Sequence, residues 1–138
     1  MTSTLKQVID KLWHKDFGGL ARYERDSYYQ QNPTEIGNPW FICTLWIAQY
    51  YIAIAKNKQD LTKALEILQW VVEHALPSGV LSEQINPQNG DPLSVSPLTW
   101  SQGTYVIAVQ EYLNKLVSIE KCPSCGQQKH AKFQSLPA

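Results

Sequence analysis

The chain has 138 residues, 12 Lys and Arg against 12 Asp and Glu, a formal net charge of zero and only 17% charged residues. That length suits one domain able to bury roughly two-thirds of its unfolded surface, and the charge balance excludes an electrostatic footprint for nucleic acid or an anionic membrane. Three cysteines, an odd number, and an N-terminus with no basic segment leading into an apolar run argue against a secreted disulfide framework and place the chain in the cytoplasm.

Four helices follow from periodicity. In the first, Leu5, Val8, Ile9, Leu12 and Trp13 recur at helical spacing behind Ser3 as N-cap, and Phe17-Gly18-Gly19 stops it. In the second, Asn38 is the expected cap and Pro39 the first helical residue, with the helix running to about Lys56. Its run WFICTLWIAQYYIAIA, Trp40 to Ala55, is 16 residues long and contains Gln49, short of the roughly 20 residues that cross a bilayer. It reads as a buried helix. The third begins after Asp60, with Leu61, Ala64, Leu65, Leu68, Val71, Val72 and Ala75 on one stripe and Lys63, Glu66, Gln69 and Glu73 opposite. The fourth repeats the second's start chemistry in Ser96-Pro97 and carries Leu98, Tyr105, Val106, Val109, Tyr112, Leu113 and Leu116 on its apolar side.

No apolar segment alternates for more than a few residues, so the expected class is all-α. The second helix is apolar nearly all round, whereas the first and third have one wet face, which suggests alternating outer and inner layers. Two long irregular segments, 16 to 38 and 76 to 96, would each run from an outer helix into the start of an inner one, at the same end. Loops of about 20 residues in a compact domain are usually functional or disordered, and the anchors Leu81, Ile85, Leu93 and Val95 argue for order. The tail after about Val117, including CPSCGQQKHAKFQSLPA, has the composition of a frayed end.

Within SGVLSEQINPQNGDPLSVSPLTWSQG, residues 78 to 103, one carboxylate stands between Leu81 and Ile85. A rigid loop could hold Glu83 as a general base against water or a ligand hydroxyl, or Glu83 could cap a backbone turn. Arg22 and Asp26 of ARYERD could grip the hydroxyls of a polar ligand or form a structural ion pair. Trp40 and Trp100 stand where a loop-built pocket needs flat apolar walls, although helical tryptophans commonly belong to cores. Cys122 and Cys125 with His130 resemble half of a zinc knuckle, but a tetrahedral site needs a fourth ligand and Cys43 lies in the apolar helix. His14 and His74, near helix ends, read as solvated. No glycine-rich phosphate loop or nucleophile-elbow motif is present.

The succession ARYERDSYY, GNPWFICTLWIAQYY and LSEQINPQNGDPLSVSPLTWS resembles the C-terminal part of the catalytic domain of glucoamylase-like inverting glycoside hydrolases, over about residues 17 to 117. The resemblance implies an (α/α)6 toroid of alternating outer and inner helices, of which residues 1–117 would be the C-terminal third and 118–138 a flexible tail. It implies Glu83 as general base, Arg22 and Asp26 in sugar binding, Trp40 and Trp100 lining the pocket, an α-glucan or oligosaccharide substrate cleaved from the non-reducing end, and no cofactor. Glu24 stands where many members have proline. The family's general acid belongs to a part of the toroid this chain lacks, so the isolated chain is expected to be inactive and to self-associate or bind the missing part. The alternative is a non-catalytic glucoamylase-like helical module used for interaction or regulation.

Overall fold

The computed structural model describes residues 3–120. The order is α1 (Ser3–Leu12), β1 (Leu20–Ala21), β2 (Pro39–Trp40), α2 (Phe41–Ile54), a single 3-10 turn (Gln59–Leu61), α3 (Thr62–Glu73), β3 (Gln84–Ile85), β4 (Pro92–Leu93) and α4 (Thr99–Ile119). The four expected helices are present, and the fold is mostly helical. To them is added an antiparallel sheet in the order β1-β2-β3-β4, which the periodicity did not predict. Each strand has two residues, too few for alternation to register, and every pairing joins distant or loop segments.

The sheet also corrects two helix starts. Pro39 and Trp40 are not helical: they pair with Ala21 and Leu20 on one side, and Trp40 pairs with Gln84 on the other. Asn38 is therefore not a cap, and its side-chain amide donates instead to the Tyr29 carbonyl (3.0 Å) and to Gln84 Oε1 (2.8 Å). Helix α2 starts behind Trp40, an extended residue at φ −106° and ψ 130° with no side-chain cap bond. Likewise α4 starts at Thr99 behind extended Leu98, not at Ser96-Pro97. In both cases the loop's long-range pairing outweighs the local start signal.

Helix α2 is the centre. It buries Phe41, Ile42, Cys43, Thr44, Leu45, Ile47, Ala48 and Ile52, as a helix apolar all round should. On one side α1 and Trp13 cover Ile47 together with Leu20, Trp40 and Ile67, and on another Phe41 and Leu45 meet Leu68, Val71, Leu81, Ile85 and Ala108. Helix α3 runs antiparallel to α2, because Leu45 shares a cluster with Leu68 near one end while Ile52 meets Leu61 and Ala64 near the other. Helix α4 runs parallel to α2: Gln49 bonds Glu111 and Lys115 bonds the Ala53 carbonyl, so both helices advance together. The N-termini of α2 and α4 thus share one end, and both irregular segments gather there in the sheet.

Two histidines depart from expectation. His14 is buried, with Nε2 2.7 Å from the Gly37 carbonyl. Burial pushes its pKa below the usual histidine value, partly offset by that hydrogen bond and by Glu35. His74 is half-buried against Trp70 and Phe17, with Nδ1 2.7 Å from the Trp70 carbonyl. His14 is thus not solvated, and His74 is only partly so.

The turn that delivers β1 to β2 depends on Gly19, at φ +81°, where an added Cβ would lie 2.7 Å from Pro39 Cβ and 2.8 Å from the Trp70 ring. Gly19→Ala combines left-handed strain with overpacking and should cost roughly 2–4 kcal/mol. Urea denaturation followed by circular dichroism measures it; an unchanged midpoint would contradict this account of the turn.

Candidate active site

Glu83 occupies the residue before β3, and its backbone is tied on both sides. Its N–H donates to the Val95 carbonyl (2.9 Å), and its own carbonyl accepts from the Phe41 N–H at the start of α2 (3.3 Å). The half-buried carboxylate receives the Ser94 hydroxyl on Oε2 at 2.5 Å, with a longer contact from Gln84 Nε2 at 3.4 Å. Among the described residues, Oε1 accepts no hydrogen bond. One oxygen is fixed and the other is open.

The support behind Glu83 is polar and buried. Gln84 is fully buried and takes the Asn38 amide on Oε1 (2.8 Å) while its Nε2 faces Glu83. The Ser82 hydroxyl donates to the Gln84 carbonyl (2.7 Å), the Ser101 hydroxyl of α4 to the Ser82 carbonyl (2.8 Å), and the Leu98 N–H to the Leu81 carbonyl (3.0 Å). The first turn of α4 is thereby fastened to the segment that carries the carboxylate. Ser94 lies at φ +63°, a left-handed conformation that costs a non-glycine residue of order 1–3 kcal/mol. The strained residue is the one that grips Glu83.

Arg22 follows β1 directly. Its Nε and Nη2 form a fork on Asp26, at 2.9 Å to Oδ2 and 3.0 Å to Oδ1, the geometry in which guanidinium and carboxylate bond most strongly. Asp26 is 0% exposed, and its Oδ1 also accepts the Tyr28 N–H at 3.1 Å. Burial alone would raise the Asp26 pKa, but the Arg22 and Tyr28 hydrogen bonds and the Arg22 charge outweigh it and hold the group below the usual carboxylate range. The same hydrogen bond holds the Arg22 pKa above its ordinary value. Asp26 is therefore an anchor without an open face, whereas Arg22 is partly exposed and its Nη1 makes no hydrogen bond among the described residues. Aromatic rings surround the guanidinium, with Trp40 at 4.2 Å, Tyr23 at 4.9 Å and Tyr28 at 5.5 Å from Cζ to the ring centroid, all within cation–π range.

Trp40 links the two halves. Its ring lies under Arg22, its backbone pairs with Gln84, and it is 5% exposed with an indole N–H that has no partner among the described residues. Glu83, Arg22 and Trp40 are therefore brought to one end of the molecule by the sheet. Trp100 is also at that end but on the outside, 59% exposed, and its ring packs edge-on against Trp46 of α2. Cys43, buried in α2, has its thiol pushed up to about 11, chiefly by burial, and is an inert core group. Cys122, Cys125 and His130 lie outside the described residues.

Sequence reasoning missed Ser94, Gln84, Asn38 and Trp46. Ser94 is eleven positions from Glu83 and meets it only because the segment doubles back through β3 and β4. Gln84 was visible as a polar residue beside the carboxylate, flanked by Ile85; a polar residue in so apolar a setting is a signal for a hydrogen-bonded network.

The family described as "Glycosyl hydrolases family 15" matches the chain over residues 1–73 and 51–110. An uncharacterised glycosyl hydrolase of Methanocaldococcus jannaschii is 34% identical over 114 residues, an alignment that covers 76% of this chain and 17% of that protein. A probable glucoamylase of Schizosaccharomyces pombe is 28% identical over 141 residues, covering 78% of this chain and 30% of that protein. The chain thus spans less than a third of the length of either relative, and no solved structure matches it significantly. With the family matched across most of its length and the carboxylate, arginine and tryptophan of its motifs gathered at one end of the fold, the chain belongs to glycosyl hydrolases family 15, a family of glycosidases.

Proposed function

We propose that this chain is the general-base segment of an inverting, glucoamylase-type glycosidase acting on α-glucans or oligosaccharides from the non-reducing end, in the cytoplasm. The observation that carries the reading is the state of Glu83, with one carboxylate oxygen held by Ser94 and the other open, on a segment fastened to the helix that follows Trp40. A base of this kind must present an ionised oxygen to water at fixed geometry. In inversion the activated water attacks the sugar on the face opposite a carboxylic acid that protonates the leaving oxygen, the two groups standing roughly 6.5–9.5 Å apart.

Arg22 is the sugar-binding residue in this reading, offering Nη1 to a hydroxyl while Asp26 holds the rest of the guanidinium. Asp26 serves binding through Arg22. Trp40 forms the floor beneath Arg22, and Trp100 an outer wall. The general acid comes from elsewhere: Asp26, the other carboxylate built into the site, is buried and locked. Residues 1–117 then form the C-terminal third of an (α/α)6 toroid, with α2 and α4 as inner helices; helix α4 itself runs on to Ile119, past the expected start of the tail, of which residues 121–138 lie outside the described residues. Helix α4 fits an incomplete layer, because only Ser101, Thr104 and Ala108 of its 21 residues are buried. Its Val106, Ile107 and Leu113, with Leu65 and Val72 of α3, are exposed apolar residues suited to a joint with further family 15 sequence.

The activity test follows. The 138-residue chain alone should release no glucose from maltose, and its joining or mixing with the remaining family 15 sequence should restore release. In that restored enzyme Glu83→Gln should lower kcat about 10²–10⁴-fold. Ser94→Ala removes a charge-assisted hydrogen bond worth roughly 1.5–3 kcal/mol and should lower kcat by about tenfold or more with little change in KM. Glucose released by the isolated chain and abolished by Glu83→Gln would overturn the division of acid and base between segments.

The Arg22–Asp26 pair has its own signature. Because the folded-state pKa of Asp26 is depressed, its stabilisation is complete above the unfolded carboxylate value of about 4 and is lost as the pH falls through the lower folded-state value. Asp26→Asn should therefore cost about 1–3 kcal/mol at pH 7, with the gap from the wild type narrowing as the pH falls below about 4. Urea midpoints measured from pH 7 to pH 2.5 report it; a gap independent of pH would contradict an ionised anchor.

A further inference from the structure

His14 is buried and lies outside the roles assigned to Glu83 and Arg22, yet it is bonded to both segments that enter the arginine loop. Its backbone belongs to the segment before β1. The His14 N–H donates to the Gly19 carbonyl at 3.0 Å, its carbonyl accepts the Gly18 N–H at 2.8 Å, and Trp13 beside it pairs with Leu20. Its ring belongs to the segment before β2, because Nε2 stands 2.7 Å from the Gly37 carbonyl. A carbonyl only accepts, so Nε2 carries a proton and donates. Between these two grips runs the chain from Arg22 to Gly37, otherwise closed by a stem of two residue pairs. Gly37 also meets the loop it closes: at φ +121° it has no side chain, and an added Cβ would lie 2.9 Å from Asp26 Cβ. The carbonyl gripped by His14 and the backbone seated against Asp26 belong to one residue.

Taking Arg22 as the sugar-binding residue, we propose that His14 is its positioning residue: the imidazole holds the Gly37 carbonyl, Gly37 seats Asp26 by direct contact, and Asp26 holds the guanidinium through its two hydrogen bonds. Core filling alone does not call for a histidine here. Leu12 and Trp13 already supply apolar cover at the end of α1, and a buried imidazole is costly unless its polar atoms are bonded. Burial holds the His14 pKa below its ordinary value, so the ring is neutral at pH 7 and has a single N–H, which is committed to Gly37. Asp26 is 0% exposed with both oxygens bonded, so it has no slack with which to absorb a shift of the backbone against it. A displacement at Gly37 is therefore passed to Arg22, and His14 acts on the sugar site through that pair.

The test uses the whole chain, with the Arg22 Nε–H signal followed by ¹H–¹⁵N NMR as the reporter of the pair. Two substitutions of like polarity separate reach from burial: the amide nitrogen of His14→Gln approaches the place of Nε2, whereas the shorter side chain of His14→Asn falls short of Gly37. The expected result is that His14→Asn speeds hydrogen exchange at Arg22 Nε–H about tenfold and that His14→Gln recovers part of the protection, with the backbone amide signals of α2 and α3 unchanged in both. In the unsubstituted chain His14 should show the Nε2–H tautomer, and a proton on Nδ1 alone would overturn the proposal without any variant. An Arg22 signal indifferent to His14→Asn, with the core amides in place, would overturn it too and leave the sugar-binding role of Arg22 standing. In the enzyme restored with the remaining family 15 sequence, His14→Asn should raise KM for maltose about tenfold and change kcat by less than about threefold. An altered Arg22 signal with an unchanged KM would support His14 as the anchor of the pair and remove Arg22 from sugar binding.

Discussion

The pairing of Trp40 with Gln84 is the constraint on which the site depends. It joins segments 44 positions apart by backbone hydrogen bonding, and on either side of it the chain makes a second fastening: Asn38 to the Gln84 side chain, and the Phe41 N–H to the Glu83 carbonyl. Without this pairing the long loop before Trp40 and the long loop around Glu83 would each be free to move over the helix ends. With it, a carboxylate, a guanidinium and an indole share one frame. The sheet is small because its work is positional, while the apolar burial around α2 supplies the stability.

The polar groups in that frame are arranged by how much freedom each retains. Asp26 retains none, being buried with both oxygens bonded, and it converts a flexible arginine into a planar group fixed against three rings. Glu83 retains one oxygen, since Ser94 holds the other from a conformation serine seldom adopts. Strain at Ser94 and an indole N–H of Trp40 that finds no partner among the described residues are both unfavourable in isolation. They occur together where the chain presents charge, which is where a structure departs from its local optimum for a functional reason.

The helices were legible because their signal is local. Periodicity in Leu5 to Trp13, the apolar run after Trp40 and the stripe from Leu61 to Ala75 each needed only neighbours in sequence, and the two irregular segments could be assigned to one end from the order of wet and buried helices. The sheet was not legible, because two-residue strands have no pattern and their partners are 18 to 44 positions away or folded through a loop. The same reason hid Ser94. It also misled the reading of Asn38-Pro39 and Ser96-Pro97, whose residue types suit a helix start but whose backbone is claimed by longer-range bonds. Glu83, Arg22 and Asp26 could be named from motifs, yet the distinction between an open arginine and a closed aspartate required burial, which spacing does not encode.

Helix α4 carries the last step. A helix of 21 residues that buries only a serine, a threonine and an alanine gains little from its own core, and small buried residues serve chiefly to let it approach α2 closely. Its exposed Val106, Ile107 and Leu113, with Leu65 and Val72 exposed on α3, make an apolar flank too large to be accidental. Most of that flank falls on the parallel partner of α2, the element tied to the Glu83 segment through Ser101. Packing against the flank of α4 would therefore bear, through Ser101, on the segment that holds Glu83.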